Sequence, residues 1–397
     1  MVLMGAWLIF YSFQPTTNSN FAIFRGTYQF STKLVNSTST RNFNLTTIDL
    51  SNRAIPKKQF WYDDQSVITR TNDCENYFKR LIPASGVDEE KIMLKNSSYA
   101  PLAFSHLVHT QSAILEVFLS LYFRPNNFHC IHVDRKSNAL LKKAINNLIR
   151  CYSNKTNHGK IFVLSKVDSF SVNWGGNTML KADLKCLSKL LELNQKRKHT
   201  SRWSHSVSLA GSELPIFTYS SFREKINQNL GTNLSSVESV LMPQGNFFRL
   251  SNEQVQDRKT FPNGTQNENM FEISIPLINS NNTTSSFKSS VKSKIIFRVF
   301  KGIRNVILSS KDVDFLLNNE ISKGLLTWFS KGSYTEEHFY STAIRFHVDT
   351  QNSNLVTQNT SAKEIRTNRG GITFTSGNTL HGICPRFTDW YCFKLFW

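Results

Sequence analysis

The chain has 397 residues and a mass of 45.6 kDa, enough for one large domain or two ordinary ones and for a sizeable core that needs no disulfide or metal to hold it. Hydrophobic residues make up 40% and aromatics 12%, which excludes a disordered chain, a collagen and a polytopic membrane protein. Lys and Arg number 47 against 28 Asp and Glu, a net charge of +19, so an anionic partner is favoured: nucleic acid, a phosphate-bearing substrate or a membrane surface.

Residues 1–13 are nearly all apolar, yet at about 1.5 Å per helical residue they reach roughly 20 Å, short of a hydrocarbon core of about 30 Å. The first basic residue is Arg25, so a secretory n-region is missing. The run reads as the tail of a signal anchor that begins upstream; a signal-peptide core and an incidental buried helix are the rival readings. No other stretch is expected to cross a bilayer. Residues 14–58 are rich in Ser, Thr and Asn without sustained periodicity, a stem or linker, and residues 59–397 are read as the folded domain.

From Pro101 the texture changes. Residues 102–108 are a short apolar run, and a helix over 111–123 stops before Pro125. Residues 128–133 (FHCIHV) form a buried strand by length and β-branching. Ser137 then caps a helix whose Leu140, Leu141, Ala144, Ile145, Leu148 and Ile149 share one face. A strand over 161–164, a helix over 177–193 and a strand over 206–210 continue the alternation. That pattern predicts βαβ units, hence an α/β domain with a mostly parallel central sheet and helices on both faces. Ligands bind beyond the carboxyl ends of such strands, which makes Val108, His109, Val133, Asp134 and Arg135 site candidates by position. Residues 245–293 are polar and read as an irregular insertion. Strands resume over 295–299 and 305–308, with helices near 311–321 and 336–345; no internal repeat is present.

Asp312-Val313-Asp314 is a D-x-D, the pattern by which many nucleotide-sugar transferases hold a divalent metal. Here it follows Ser309-Ser310 and opens a predicted helix, where residues two apart are rotated by about 200° and do not chelate one ion. No metal site is expected, and the two acids read as partners of the helix N-terminus. Asp134 is followed by Arg135 and Lys136 instead of a second acid, an arrangement suited to hydrogen bonding a nucleoside with cations near phosphate. Lys196-Arg197-Lys198-His199 has no interleaved aromatics and reads as a solvated helix end, not a nucleic-acid site. Glu336-Glu337-His338 begins a predicted helix with Phe339, Ala343 and Ile344 facing inward. Paired acids there are commonly partners of the helix dipole, while a carboxylate held at a helix start beside an α/β site also suits a general base.

The six cysteines, Cys74, Cys130, Cys151, Cys186, Cys384 and Cys392, include no CxxC pair and no zinc-like spacing with His. Two or three disulfides in an oxidising lumen fit better, though six buried thiols in a cytosolic protein would give the same sequence signal. N-x-S/T sequons stand at Asn36, Asn44, Asn96, Asn154, Asn233, Asn263, Asn281, Asn282 and Asn359. A chain this rich in Asn, Ser and Thr reaches most of that number by chance, so they permit secretion without requiring it.

Taken in order, several segments resemble the core-2/I-branching β-1,6-N-acetylglucosaminyltransferase family, which also includes the peptide O-xylosyltransferases. They are Pro101-Leu102-Ala103-Phe104 through Leu107-Val108-His109, Ile131-His132-Val133-Asp134-Arg135-Lys136-Ser137, and Val172-Asn173-Trp174-Gly175-Gly176. Lys181-Ala182-Asp183-Leu184-Lys185-Cys186-Leu187, Gly211-Ser212-Glu213-Leu214-Pro215, Val306-Ile307-Leu308-Ser309 and Glu336-Glu337-His338-Phe339 complete the set. The resemblance implies a type II Golgi membrane protein with a lumenal GT-A-type catalytic domain that works without metal. Leu107, Val108, His109, Val133, Asp134, Arg135 and Trp174 would line the UDP-sugar site, Glu337 would be the catalytic base, and Cys74 would pair with Cys151 and Cys130 with Cys186. Glu238 is the candidate acceptor-binding acid.

Three departures from the family pattern stand near the end of the chain. His381 replaces an Arg that grips the diphosphate, the chain stops at Trp397 before a Lys that completes that site, and Thr375 replaces a cysteine that would pair with Cys384. The family's aromatic acceptor segment is not recognisable in residues 366–374. The function implied is inverting transfer of N-acetylglucosamine from UDP-GlcNAc to a sugar hydroxyl of a glycoprotein O-glycan, giving a β-1,6 branch, with no metal cofactor, a membrane contact through the N-terminal anchor and no nucleic-acid partner. The alternatives are xylosyl transfer to Ser, a catalytically inactive carbohydrate-binding relative or incomplete chain, and a cytosolic basic nucleic-acid binder.

Overall fold

Two short helices open the described part of the chain, α1 (Asp64–Thr71) and α2 (Cys74–Leu81). Asp63 caps α1 by accepting from the Ser66 N–H at 2.6 Å, and Arg70 pairs with the buried carboxylate of Glu116. The structure is a computed structural model that describes residues 63–81, 100–156, 159–197, 202–213, 215, 217–231, 233–242, 244–260, 266–277 and 291–356. The apolar N-terminus, the stem, Thr375, His381, Cys384 and Cys392 lie outside them.

Along the chain follow β1 (Leu102–Val108), α3 (Ser112–Tyr122), β2 (Phe128–Val133), α4 (Ala139–Ser153), β3 (Lys160–Val163), α5 (Thr178–Gln195), β4 (His205–Ala210) and α6 (Tyr219–Leu230). Next come β5 (Val240–Leu241), a 3-10 turn (Gln244–Arg249), α7 (Asn252–Gln256), β6 (Arg258–Thr260), β7 (Gln266–Leu277), β8 (Val291–Arg298) and β9 (Phe300–Lys301). The last are β10 (Ile307–Ser309), α8 (Ser310–Asn318), α9 (Glu320–Phe329) and α10 (Thr335–Val356).

The central sheet has the order β10-β4-β1-β2-β3. β1 to β4 are parallel and β10 runs antiparallel at the edge. β1 and β2 are buried at every position, as their unbroken apolar runs require, because both faces of the sheet are covered. The pleat divides them between two cores. Leu102, Phe104 and Val108 join Leu119 of α3, Leu148 of α4 and Phe222 of α6 on one face. Ala103, Phe128 and Cys130 join Leu187 of α5, Leu316 of α8, Leu325 of α9 and Phe339 of α10 on the other. The α/β class and its helix-covered, mostly parallel sheet are therefore as the sequence indicates. Among the described residues no helix is long and apolar enough to cross a membrane.

Several local expectations are corrected. Asn138, not Ser137, caps α4, accepting from the Leu141 N–H at 2.7 Å; Ser137 Oγ donates instead to the His109 carbonyl at 3.0 Å. Residues 245–293 are not wholly irregular, since β6, β7 and β8 form an antiparallel sheet. Phe271, Ile273 and Ile275 alternate into the core beside Ile295 and Phe297, the period of a half-buried strand. The helix expected over 311–321 is two, because Asn319 takes an extended backbone after α8 and its side chain then accepts from the Ile321 N–H at 2.9 Å to start α9.

Cys74–Cys151 and Cys130–Cys186 are disulfides, with Cα separations of 5.0 and 5.6 Å. The first ties α2 to α4, and the second ties β2 to α5. Cys130–Cys186 closes 56 residues and is expected to stabilise the fold by about 4 kcal/mol in the chain-entropy account. Urea unfolding of the Cys130→Ala, Cys186→Ala protein measures this; a loss below about 1 kcal/mol would show that the crosslink is not restricting the unfolded chain as that account requires.

Candidate active site

The carboxyl ends of the parallel strands open into a cavity of about 350 Å³. Its wall takes Leu107 and Val108 from β1 with His109 just after it, His132 from β2 with Asp134 just after it, Ala210 from β4, Lys136 and Ser137 from the turn before α4, Val172 and Trp174 from the segment leading into α5, and Met179 from its first turn. Arg304 closes it from the stretch that precedes β10. Gly211 follows β4 so closely packed on β1 that a Cβ would stand 2.7 Å from the Leu107 carbonyl oxygen. No other residue fits there without moving the strand end that carries the site.

Asp134 is buried and firmly held: its N–H donates to the Val108 carbonyl at 2.8 Å, and its carboxylate accepts from the Lys136 N–H at 2.8 Å and the Val172 N–H at 3.3 Å. The carboxylate thus couples the turn after β2 to the segment carrying Trp174. His132, which the sequence reading left out, accepts at Nε2 from the Phe170 N–H at 2.9 Å. Burial lowers its pKa, so the ring is neutral with its proton on Nδ1.

Of the donor-site candidates, Leu107, Val108, His109, Asp134 and Trp174 line the cavity, whereas Val133 and Arg135 do not. Alternation along β2 sends the Val133 side chain into the hydrophobic core while its neighbours His132 and Asp134 face the cavity. The Arg135 guanidinium turns aside to the Ser169 carbonyl. Lys136 Nζ donates to the Val172 carbonyl at 2.7 Å and Asn173 Oδ1 at 3.0 Å, bracing the same segment.

Trp174 is 76% exposed and meets Tyr334 edge to face, with ring centroids 5.0 Å apart. Gly175 behind it has φ +76° and faces the Tyr334 ring, which a Cβ would touch at 3.4 Å; that backbone conformation favours glycine. Tyr334 N–H donates to the Gly175 carbonyl at 2.8 Å, which fixes the start of α10 against the cavity wall. Arg249 lies over the Tyr334 ring at 4.4 Å and pairs with Glu337, and Lys301 Nζ stands 3.7 Å from the same carboxylate. Glu337 is not in the cavity lining; it stands just beyond the Trp174–Tyr334 wall, half-buried between two cations. Glu238 lies alongside, its carbonyl accepting from Ser341 Oγ at 2.7 Å.

The neighbouring acid behaves differently. Glu336 is only 4% exposed, its Oε2 has no hydrogen-bond partner among the described residues, and burial raises its pKa. Of the two acids, Glu337 is the one that combines ionic partners with partial exposure. The D-x-D is split as the helix geometry requires: Asp312 is buried, accepting from Ser235 Oγ, from Ser309 Oγ at 2.8 Å and from His347 Nδ1 at 3.0 Å, while Asp314 is exposed and bonds Asn318 at 2.8 Å. Among the described residues no three His, Cys, Asp or Glu side chains come together in a way that would hold a metal ion. Arg304, Arg249 and Lys301 are absent from the sequence reading, since nothing local in the sequence marks them.

The family model described as core-2/I-branching enzyme matches residues 102–390. A β-1,3-galactosyl-O-glycosyl-glycoprotein β-1,6-N-acetylglucosaminyltransferase 4 of Danio rerio is 28% identical over 73% of this chain and 59% of its own length. The Homo sapiens β-1,3-galactosyl-O-glycosyl-glycoprotein β-1,6-N-acetylglucosaminyltransferase is 25% identical over 73% of this chain and 57% of its own, so the chain spans somewhat more than half the length of these relatives. A solved mouse xyloside xylosyltransferase 1 is similar at 10% identity and a TM-score of 0.29, over 62% of this chain and 82% of that one, a likeness too slight to bear on the fold. The matched span takes in every strand of the central sheet, the whole cavity wall and the start of α10, and on that extent the chain belongs to the core-2/I-branching enzyme family.

Proposed function

We propose that the chain is an inverting glycosyltransferase that moves N-acetylglucosamine from UDP-GlcNAc to a sugar hydroxyl of a glycoprotein O-glycan, forming a β-1,6 branch. The observation that carries this reading is the Glu337 carboxylate held between Arg249 and Lys301 next to a cavity at the carboxyl edge of a parallel sheet. A donor seated in the cavity would present its anomeric carbon toward the Trp174–Tyr334 side. Glu337 would take the proton of the acceptor hydroxyl as that oxygen attacks the carbon. One bond forms as the bond to the diphosphate breaks, UDP leaves with the electron pair, and a single displacement inverts the centre.

Fixed cations take the place of a divalent ion in this reading, which agrees with the separate partners of Asp312 and Asp314. The setting proposed is the Golgi lumen, with attachment as a type II membrane protein. Two disulfides support an oxidising compartment, and the sequons at Asn154 and Asn233 are exposed. The test is an assay of the purified chain with a Galβ1,3GalNAc acceptor, UDP-GlcNAc or UDP-xylose as donor, and a chelator throughout. β-1,6-linked N-acetylglucosamine is expected. Transfer from UDP-xylose alone would move the donor assignment, and a need for manganese would overturn the metal-free one.

A further inference from the structure

We propose that Arg304 is the cation that binds the donor's diphosphate, an assignment that rests on the UDP-sugar reading of the cavity. Topology puts it there. β10 is antiparallel to β4, with Ile307 opposite Val207, so the chain entering β10 runs beside the carboxyl end of β4, where the parallel strands open the cavity. Three contacts hold that entering stretch. The Val306 carbonyl accepts from the Ser208 N–H at 3.0 Å, and Asn305 Nδ2 donates to Glu213 Oε1 at 2.8 Å. Glu213 in turn accepts from the Ala210 N–H at 2.7 Å through its other oxygen. Arg304 itself donates from Nη2 to the Leu209 carbonyl at 2.9 Å, which fixes one side of its guanidinium at the cavity wall.

The other cations near the cavity are engaged elsewhere. Lys136 braces the Val172 carbonyl and the Asn173 side chain, and Arg135 faces Ser169. A guanidinium carries five N–H donors in a rigid fork matched to phosphate oxygens. Arg304 gives one to Leu209 while lining the cavity, so its fork is anchored at one corner and stands at the cavity wall. A diphosphate in the cavity would match such a fork in charge as well as geometry. The rival role is structural, since the buried carboxyl of Glu336 feels the charge of Arg304; that role predicts a change in stability with no preference for phosphate.

The experiment is calorimetric titration of the purified full chain, in chelator, with UDP and with uridine, for the wild type, Arg304→Gln and Arg304→Lys. The wild type is expected to bind UDP more tightly than uridine. Arg304→Gln should weaken UDP about ten- to hundredfold, the range for a lost charge-assisted contact, and leave uridine within about twofold. If Arg304→Gln does not fold, Arg304→Lys decides: a point charge in place of the fork should weaken UDP at least about threefold with uridine unchanged. A UDP-to-uridine ratio equal to wild type in the folded variant overturns the assignment of Arg304 and leaves the donor reading intact. A wild-type chain that binds neither UDP nor uridine overturns the donor reading and this inference with it.

Discussion

Glu337→Gln is expected to lower N-acetylglucosamine transfer by about two to four orders of magnitude, the usual contribution of a positioned general base, with UDP binding unchanged. The substitution keeps the shape of the side chain and removes the group that can take a proton. Position is the larger part of the argument. The Glu337 N–H donates to the Tyr334 carbonyl at 3.0 Å and its carbonyl accepts from the Gly302 N–H at 2.7 Å, while Arg249 and Lys301 hold the carboxylate itself. Arg249 is in turn stacked on Tyr334, so the base and the cavity wall share one support. Glu336→Gln is the matched control. Its carboxyl is buried away from any acceptor, and turnover should survive its loss. Retention of more than about a tenth of wild-type turnover in Glu337→Gln would remove Glu337 from the base role, and equal losses in both variants would point to damage at the start of α10 instead.

The parts of the fold that were legible in the sequence are those where a single local rule decides. Residues 102–108 and 128–133 read as strands because full burial on two faces demands continuous apolar side chains, and α5 reads as a helix because Leu180, Leu184, Leu187 and Leu191 recur on one buried stripe. The strand-end rule points to His109 and Asp134, which line the cavity. It points equally to Val133 and Arg135, which do not line the cavity, since a position near a strand end says nothing of which way the pleat turns the side chain or which carbonyl an arginine reaches. The 266–277 strand is hidden in the sequence although Phe271, Ile273 and Ile275 alternate correctly, because the Asn- and Ser-rich stretches on either side dominate the composition. Arg304, Arg249 and Lys301 lie beyond any local rule. They reach the site through the antiparallel edge strand, the 3-10 turn and β9, and only the order of strands shows that these segments meet.

Acid should unfold the protein well above the carboxylate range, because His106, His129, His205 and His338, like His132, are buried and held neutral in the folded state. His106 and His129 form a pair inside the sheet core, with ring nitrogens 3.2 Å apart. They lie among Phe104 and Phe118, His129 stacking on Phe104 at 4.8 Å. Burial pushes the pKa of His106 down to about 3 and that of His129 well below the ordinary value, with the charge of His106 acting in the same direction. Burial likewise lowers His205 and His338 to about 4. In the unfolded chain each titrates near 6.5. Folded pKa values below the unfolded one mean that the stabilisation is present above pH 6.5. It is lost as pH falls, because the unfolded chain takes up protons that the folded chain refuses. Each histidine contributes a slope of up to about 1.4 kcal/mol per pH unit, beginning near 6.5 and ending near 4 for His205 and His338 and near 3 for His106. Four such slopes together approach the total stability of an ordinary domain, about 5–15 kcal/mol, within two to three pH units. Urea midpoints measured by circular dichroism should therefore fall steadily between pH 7 and pH 5. His129→Gln, which cannot take up a proton, should flatten that dependence by about one histidine's share whatever it costs in packing. A midpoint that stays constant over this range would mean that the buried rings accept protons in place, and the aromatic core around Phe104 would then have to admit water that its packing excludes.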